Sequence, residues 1–338
     1  MIINEIPIVR NSKKEKEAAA DYIINKMESF GFNLHVENGK DKNILSSNIE
    51  NKEIIFTAHY DTPNSSSSLS KKIFTTNIPQ VIMFVLSILL IFKGGFFGID
   101  PKEGLLYNVT FNLVLLAFYY IFLKIFFFVA KLLMKIWPLS KLFKPNKVNF
   151  NDNTSGVVSL LTIASELSNK NCNYADKVGF VFFDNEEKGL LGSKSFKKRY
   201  KKKLKANLFI NLDCVGTKDA VDLLVAVYRN NVSGKYIDNA LTVFTKDSEN
   251  VVFKIRSKFI KKFLLRVCLF FNTSGCSDYV NLRNYNVIHI GRYKKSFYKF
   301  HYIPFVHTNN DTLESIDESQ IERISLLSVE VLKHYFEH

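Results

Sequence analysis

Five short acidic and histidine motifs stand in a fixed order along the chain: His59-Tyr60-Asp61, Asp152-Asn153, Glu186-Glu187, Asp213 and His307. Each falls at the end of a predicted strand or the start of a predicted helix. Together they supply two imidazoles, a carboxylate able to bridge, a further carboxylate for each of two cations, and one Glu to spare. Imidazole nitrogen and carboxylate oxygen are zinc ligands. A free carboxylate beside paired metals can serve as a general base. The inventory therefore fits a site holding two zinc ions and a base.

Taken singly, each motif also has a plainer reading. His59 could be a loop imidazole bonded to a neighbour, although a metal-bound imidazole commonly gives its other N–H to a carboxylate such as Asp61. Asp152 precedes SGVVSLLTIASEL and could simply cap that helix. Glu186 and Glu187 could be a solvated turn, but two adjacent carboxylates after a buried strand are costly without a nearby cation. Asp213 could be a turn residue, and His307 a surface loop residue whose loop is held by the following DTLESID. His301 competes with His307 for a ligand role. His289, inside VIHIG, reads as a satisfied core histidine.

The elements that would carry these residues alternate between strands and helices. Residues 14–30 have helical spacing. Residues 53–58, 178–183, 208–212, 221–228 and 287–290 read as strands. Residues 155–167 and 316–336 read as helices, the second with Asp317 as its N-cap. The pattern predicts an α/β fold whose mixed, mostly parallel central sheet has helices on both faces. In such folds sites lie beyond the carboxyl ends of strands, where all five motifs fall.

The 338 residues, 47% of them hydrophobic, suffice for one large domain with an insertion. The net charge of +14 can suit nucleic acid or an anionic membrane. Lysine is scattered and no nucleic-acid motif occurs, so a nucleic-acid partner is not expected. The four cysteines form no CxxC pair and read as free thiols. The first residues lack the apolar run of a secretory signal.

Two apolar stretches, 78–99 and 105–130, are each long enough to cross a bilayer of about 30 Å. A short linker around Asp100-Pro101-Lys102-Glu103 joins them. They predict a two-helix transmembrane hairpin, and so an integral membrane protein with the lipid bilayer as a partner. Lys71 and Lys72 before the hairpin, and Lys131, Lys135, Lys141, Lys144 and Lys147 after it, predict a cytoplasmic catalytic domain. The expected domains are 1–70 with 145–338, interrupted by a hairpin and interfacial segment over 73–144. Residues 131–143, around Trp137, are expected in the membrane interface, and 251–271 could form a second membrane contact. The sequon at Asn153 adjoins the expected site, where a glycan would obstruct it.

In combination, TAHYDT, NDNTSGV, FFDNEEKGLLGS, NLDCVG and HTNNDTLESID, with Ser277-Asp278 in GCSDYVNL, resemble the M28 family of zinc aminopeptidases. The resemblance covers most of the chain outside the predicted hairpin. It implies a zinc-peptidase (phosphorylase/hydrolase-like) fold, two zinc ions, and peptide substrates with a free N-terminus. It further implies that His59 and Asp213 bind one zinc, and that Glu187 and His307 bind the other. Asp152 would bridge them, Asp61 would orient His59, and Glu186 would be the general base. The chain departs from the family where relatives often have His after Ser-Asp, since Tyr279 stands here, and in the inserted hairpin. Two rival readings share the fold: a glutaminyl-cyclase-like acyltransferase, which resembles the chain at His-Tyr-Asp, and a non-catalytic membrane receptor. The peptidase-like DNTSG and GLLGS disfavour the first. The second should lack a ligand or the base, and none is missing.

Overall fold

A computed structural model describes residues 2–65, 144–170, 172–201, 203–228, 234–246, 249–256, 277–295 and 301–337. The chain divides into two units, Met1–Asn64 with Pro145–His338, and Ser65–Lys144. In the first unit the Asn146 N–H donates to the Pro63 carbonyl at 3.1 Å, so the chain leaves and re-enters at neighbouring points.

The first unit is built on one sheet. Its strands, in chain order, are β1 (Leu34–Val36), β2 (Ile44–Ser46), β3 (Ile54–His59), β4 (Val178–Phe183), β5 (Leu208–Leu212), β6 (Val221–Tyr228), β7 (Asn250–Arg256), β8 (Val287–Lys295) and β9 (His301–Tyr302). They lie in the order β1-β2-β4-β3-β5-β8-β6-β7, with β9 on β8. The centre, β4-β3-β5-β8, is parallel, as is β6 to β7. The pairs β1-β2, β2-β4, β8-β6 and β8-β9 are antiparallel. The expected mixed sheet is present, but parallel pairing is confined to its centre and one edge rather than prevailing throughout.

Central strands are buried on both faces, which is why they read as unbroken apolar runs. Alternate residues sort to two cores. Ile54, Phe56, Phe180, Leu208 and Ile210 pack into one core with α1 (Lys13–Ser29), α2 (Gly156–Asn169), α4 (Gly234–Phe244) and α6 (Glu318–Glu337). Ile55, Val181, Phe183 and Phe209 pack into the other with α3 (Leu191–Tyr200) and the short α5 (Tyr279–Leu282). Helix α1 starts on a capping box: Ser12 accepts from the Glu15 N–H, and the Glu15 carboxylate accepts from the Ser12 N–H. Helix α6 buries Ile321, Ile324 and Leu332, exposes Glu322, Lys333 and Glu337, and pairs Arg323 with the buried Asp222.

One expectation is corrected. Among the described residues no helix is long and apolar enough to cross a membrane, so an integral membrane protein with a cytoplasmic catalytic domain is not supported. Among the described helices α6, with 20 residues, is long enough but amphipathic, carrying Glu322, Arg323, Glu330 and Lys333. The stretches 78–99 and 105–130, the segment 131–143 and residues 257–271 lie outside the described residues.

Candidate metal centre

The carboxyl ends of three neighbouring parallel strands deliver the first ligands. β3 ends at His59, β4 leads through Asp184 and Asn185 to Glu186 and Glu187, and β5 ends one residue before Asp213. His59 Nδ1 lies 3.1 Å from the Asp61 carbonyl oxygen. In a neutral ring that contact would place the proton on Nδ1 and turn the Nε2 lone pair to the site. The Asp61 carboxylate is farther from the ring, 3.6 Å, and instead accepts from the Glu186 N–H at 2.9 Å and the Glu187 N–H at 3.3 Å. Asp61 therefore orients His59 mainly through its backbone, while its side chain locks the glutamate loop to the histidine strand.

Asp152 comes from the turn Phe150–Ser155, which precedes α2. Its position is set by neighbouring asparagines. Asn153 Oδ1 accepts from the Gly156 and Cys214 N–H groups, and its Nδ2 donates to the Leu212 carbonyl. Asn151 Oδ1 accepts from the Gly216 N–H. Gly156 is required here, because a Cβ would sit 2.4 Å from Asn153 Oδ1 and 2.6 Å from the Leu212 carbonyl oxygen. Asn153 is fully buried, so the sequon is closed to a glycan.

His307 arrives on the loop between β9 and α6, with a left-handed φ of 57°. Asp311 ties this loop to the Asp152 turn: its carboxylate accepts from the Asn151 N–H at 2.8 Å and the Asp152 N–H at 3.0 Å. His301 lies at the start of β9, in none of the candidate metal groups, and His307 is the histidine in the cluster.

Two clusters result, sharing Asp152. His59 Nε2 is 3.3 Å from Asp152 Oδ1 and 3.5 Å from Asp213 Oδ1. His307 Nε2 is 3.2 Å from Asp152 Oδ2 and 3.1 Å from Glu187 Oε2. Four ligands at about 2.0–2.1 Å around a tetrahedral zinc stand roughly 3.3 Å from one another. The separations match that spacing, and the donors are nitrogen and oxygen. Among the described residues the buried Glu187 Oε1 has no hydrogen-bond partner, which a cation would supply. His59, Asp152 and Asp213, and separately Asp152, Glu187 and His307, could each hold a metal ion, as could His59 with Glu186 and Glu187. The residues present fit a metal centre.

Electrostatics agree. Burial penalises the charged His59 ring, yet Glu186, Asp213 and Asp152 outweigh it and raise its pKa well above the ordinary value. His307 is raised likewise, by Glu187 and Asp152 against burial. Burial opposes charge on Asp152 too, but the two histidines hold its pKa below the usual carboxylate range. Glu187 is pushed up to about 7, chiefly by burial. Burial, with Glu187, Asp278 and Asp213, drives Glu186 well above its ordinary value against the pull of His59. The cluster is thus crowded with carboxylates and short of positive charge.

All seven expected site residues converge. Sequence reasoning missed Asp311 as the brace of the Asp152 turn; the only signal was its place in the DTLESID run expected to hold the loop. It also missed Arg10, fully buried beside the site. Asp278 enters the sequence reading only as a landmark; it is fully buried, and burial pushes its pKa to about 7 against the pull of His59 and a hydrogen bond with Ser193. His289 is a core histidine, as expected: Asn211 Nδ2 lies 3.0 Å from its Nδ1, and burial lowers its pKa to about 4.

No curated protein matches the chain by sequence. Solved structures share its fold. The glutaminyl cyclase of Porphyromonas gingivalis aligns at a TM-score of 0.58 and 16% identity, covering 98% of this chain and 94% of its own. A leucine aminopeptidase precursor from Bacteroides thetaiotaomicron aligns at 0.57 and 15% identity, covering 97% and 92%. A Zn-dependent exopeptidase from Parabacteroides distasonis aligns at 0.56 and 17% identity, covering 98% and 93%. Residues 143–332, more than half the chain, match the family described as Peptidase family M28. That match runs through Asp152, Glu186, Glu187, Asp213 and His307, and on its strength the chain belongs to peptidase family M28, a zinc-dependent exopeptidase family.

Proposed function

We propose that the chain is a di-zinc aminopeptidase that hydrolyses N-terminal residues from peptides, with Glu186 as general base. One observation carries this reading: the two oxygens of Asp152 face two different histidines, at 3.3 Å and 3.2 Å. A carboxylate so placed is suited to bridging a metal pair. His59 and Asp213 would complete one ligand set, Glu187 and His307 the other.

When bound, zinc supplies Lewis-acid polarisation of the scissile carbonyl and acidifies water. The chain's own residues would do the rest. Glu186 belongs to neither of the two sets that share Asp152, and its backbone is held by Asp61. It would take the proton from the attacking water and deliver it to the leaving amine. A carboxylate with a raised pKa suits both transfers, and bound cations would draw that pKa back toward the working range. Asp61 keeps the base in register with His59 through the Glu186 and Glu187 amides.

A glutaminyl-cyclase-like acyl transfer is the second reading, favoured by the fold similarity to glutaminyl cyclases. The two separate by product. A panel of aminoacyl-aminocoumarin substrates should release fluorophore, and peptides with N-terminal Gln should release no ammonia by cyclisation. Ammonia release without fluorophore would favour the cyclase reading instead.

A further inference from the structure

Arg10 has no part in the ligand set, yet it is among the largest fully buried side chains of the protein. Burying a guanidinium is expensive unless its donors find partners and its charge finds opposite charge. Opposite charge and partners for Nε and Nη1 are found at the metal centre; among the described residues the buried Nη2 has no partner. Nε donates to the Tyr60 carbonyl, one residue after His59. Nη1 donates to the Thr154 hydroxyl at 3.0 Å, two residues after Asp152, and to the Pro7 carbonyl at 2.7 Å. The Arg10 N–H donates to the Thr62 hydroxyl at 2.8 Å, and the Thr62 N–H returns a bond to the Arg10 carbonyl. The facing charges are Asp61, Asp152 and Asp311, which oppose the loss of the proton that burial promotes.

We propose that Arg10 is a positioning residue for the metal pair: its guanidinium clasps the loop that carries His59 and Asp61 to the turn that carries the bridging Asp152. The planar fork reaches two directions at once at fixed angles, which a flexible ammonium cannot reproduce. His59 ends β3 and Asp152 sits in the turn Phe150–Ser155, which is not a strand of the main sheet, and the separation of His59 Nε2 from Asp152 Oδ1 sets the first cluster. Arg10 also lines a cavity of about 170 Å³ together with Asp61, Glu187 and His307. The inference rests on the metal-centre reading.

Its sign is informative. A buried positive charge by itself disfavours a bound cation, so a purely electrostatic Arg10 would weaken zinc binding. A clasp strengthens it by fixing the ligands. Arg10→Lys keeps the charge and removes the fork, so it isolates the geometry.

The test is zinc affinity, by competition with a chromophoric chelator, on the full chain well below its melting temperature. Folding is checked by circular dichroism. Folded Arg10→Lys should bind zinc about tenfold more weakly or worse, the range seen when groups behind a ligand are removed. Excess zinc should restore much of its kcat with little change in KM. A folded variant with wild-type zinc affinity, whatever its melting temperature, would overturn the proposal and leave Arg10 a structural cross-link. Should Arg10→Lys not fold, Thr154→Val removes one arm of the clasp. It should weaken zinc in the same direction, and wild-type affinity there would likewise overturn the proposal. A wild-type protein that binds no zinc would instead defeat the metal-centre reading itself, so the two failures are distinguishable.

Discussion

At the scale of single residues, Asp152 is the group the site can least spare. Its two oxygens serve two clusters, so its loss cannot be confined to one. Asp152→Asn keeps the shape and halves the donor capacity. It should lower zinc affinity by more than about 100-fold, beyond the range for groups that act only through a ligand. Retention of wild-type zinc by metal analysis would refute the bridging role. Asp61→Asn makes a contrasting case. The substituted amide can accept from only one of the Glu186 and Glu187 N–H groups, while the carbonyl beside His59 Nδ1 is untouched. Zinc content should hold while kcat falls about 10- to 100-fold, as for other loosened supports. An equal loss of zinc would show that Asp61 acts mainly through the histidine. The candidate ligands could be picked out in the sequence because metal chemistry demands particular residue types. Arg10 was not. Its partners lie 50 and 144 residues away, and nothing in IPIVRNS hints at them.

At the scale of elements, the centre of the sheet explains why the motifs meet. Adjacent parallel strands bring their carboxyl ends together, so β3, β4 and β5 deliver His59, the glutamate pair and Asp213 to one edge. Those strands could be read beforehand, because burial on both faces leaves a continuous apolar run. The three-residue β1 and β2 could not, since they are too short to show a period. Nor could the antiparallel setting of β6, because an apolar run carries no record of its direction. The turn that holds Asp152 depends on close approach to β5. Gly156→Ala would push a Cβ into Asn153 and the Leu212 carbonyl. It should cost about 1–3 kcal/mol in denaturant unfolding, as overpacking does. It should also reduce zinc affinity, because the displaced turn carries Asp152, the proposed bridge. A variant with unchanged stability and zinc would show that the turn can relax without moving Asp152.

At the scale of the whole molecule, protons and metal compete for the same buried groups. Without metal, burial lifts Glu187, Asp278 and Asp311 each to about 7. In the unfolded chain such groups release their protons near pH 4. Between about pH 4 and 7 the folded state holds protons the unfolded state has lost, so metal-free stability falls as pH rises through that window. The raised His59 and His307 have the same sign at higher pH, since their stabilisation fades as pH climbs through their folded pKa values. The lowered pKa values of Asp152 and Asp213 contribute stability that is lost only in more acidic solution. Zinc needs deprotonated ligands and so binds better as pH rises. The gap in melting temperature between zinc-loaded and zinc-free protein should widen from about pH 5 to 7.5. A constant gap would contradict this linkage. The segment 65–144 bears on another prediction. Pro63 and Asn146 are hydrogen-bonded, so a short Gly-Ser linker could close the gap. A protein with 65–144 so replaced should fold and retain zinc by metal analysis; loss of the fold would make that segment integral to the domain. The decisive measurement is zinc per chain in the wild type and in Glu186→Gln, beside turnover of a free-amine substrate. Two zincs in both proteins are expected, with turnover lower by about 10²- to 10⁴-fold in the variant. A single zinc in the wild type, or a zinc lost with Glu186, would contradict a shared Asp152 and an unliganded base.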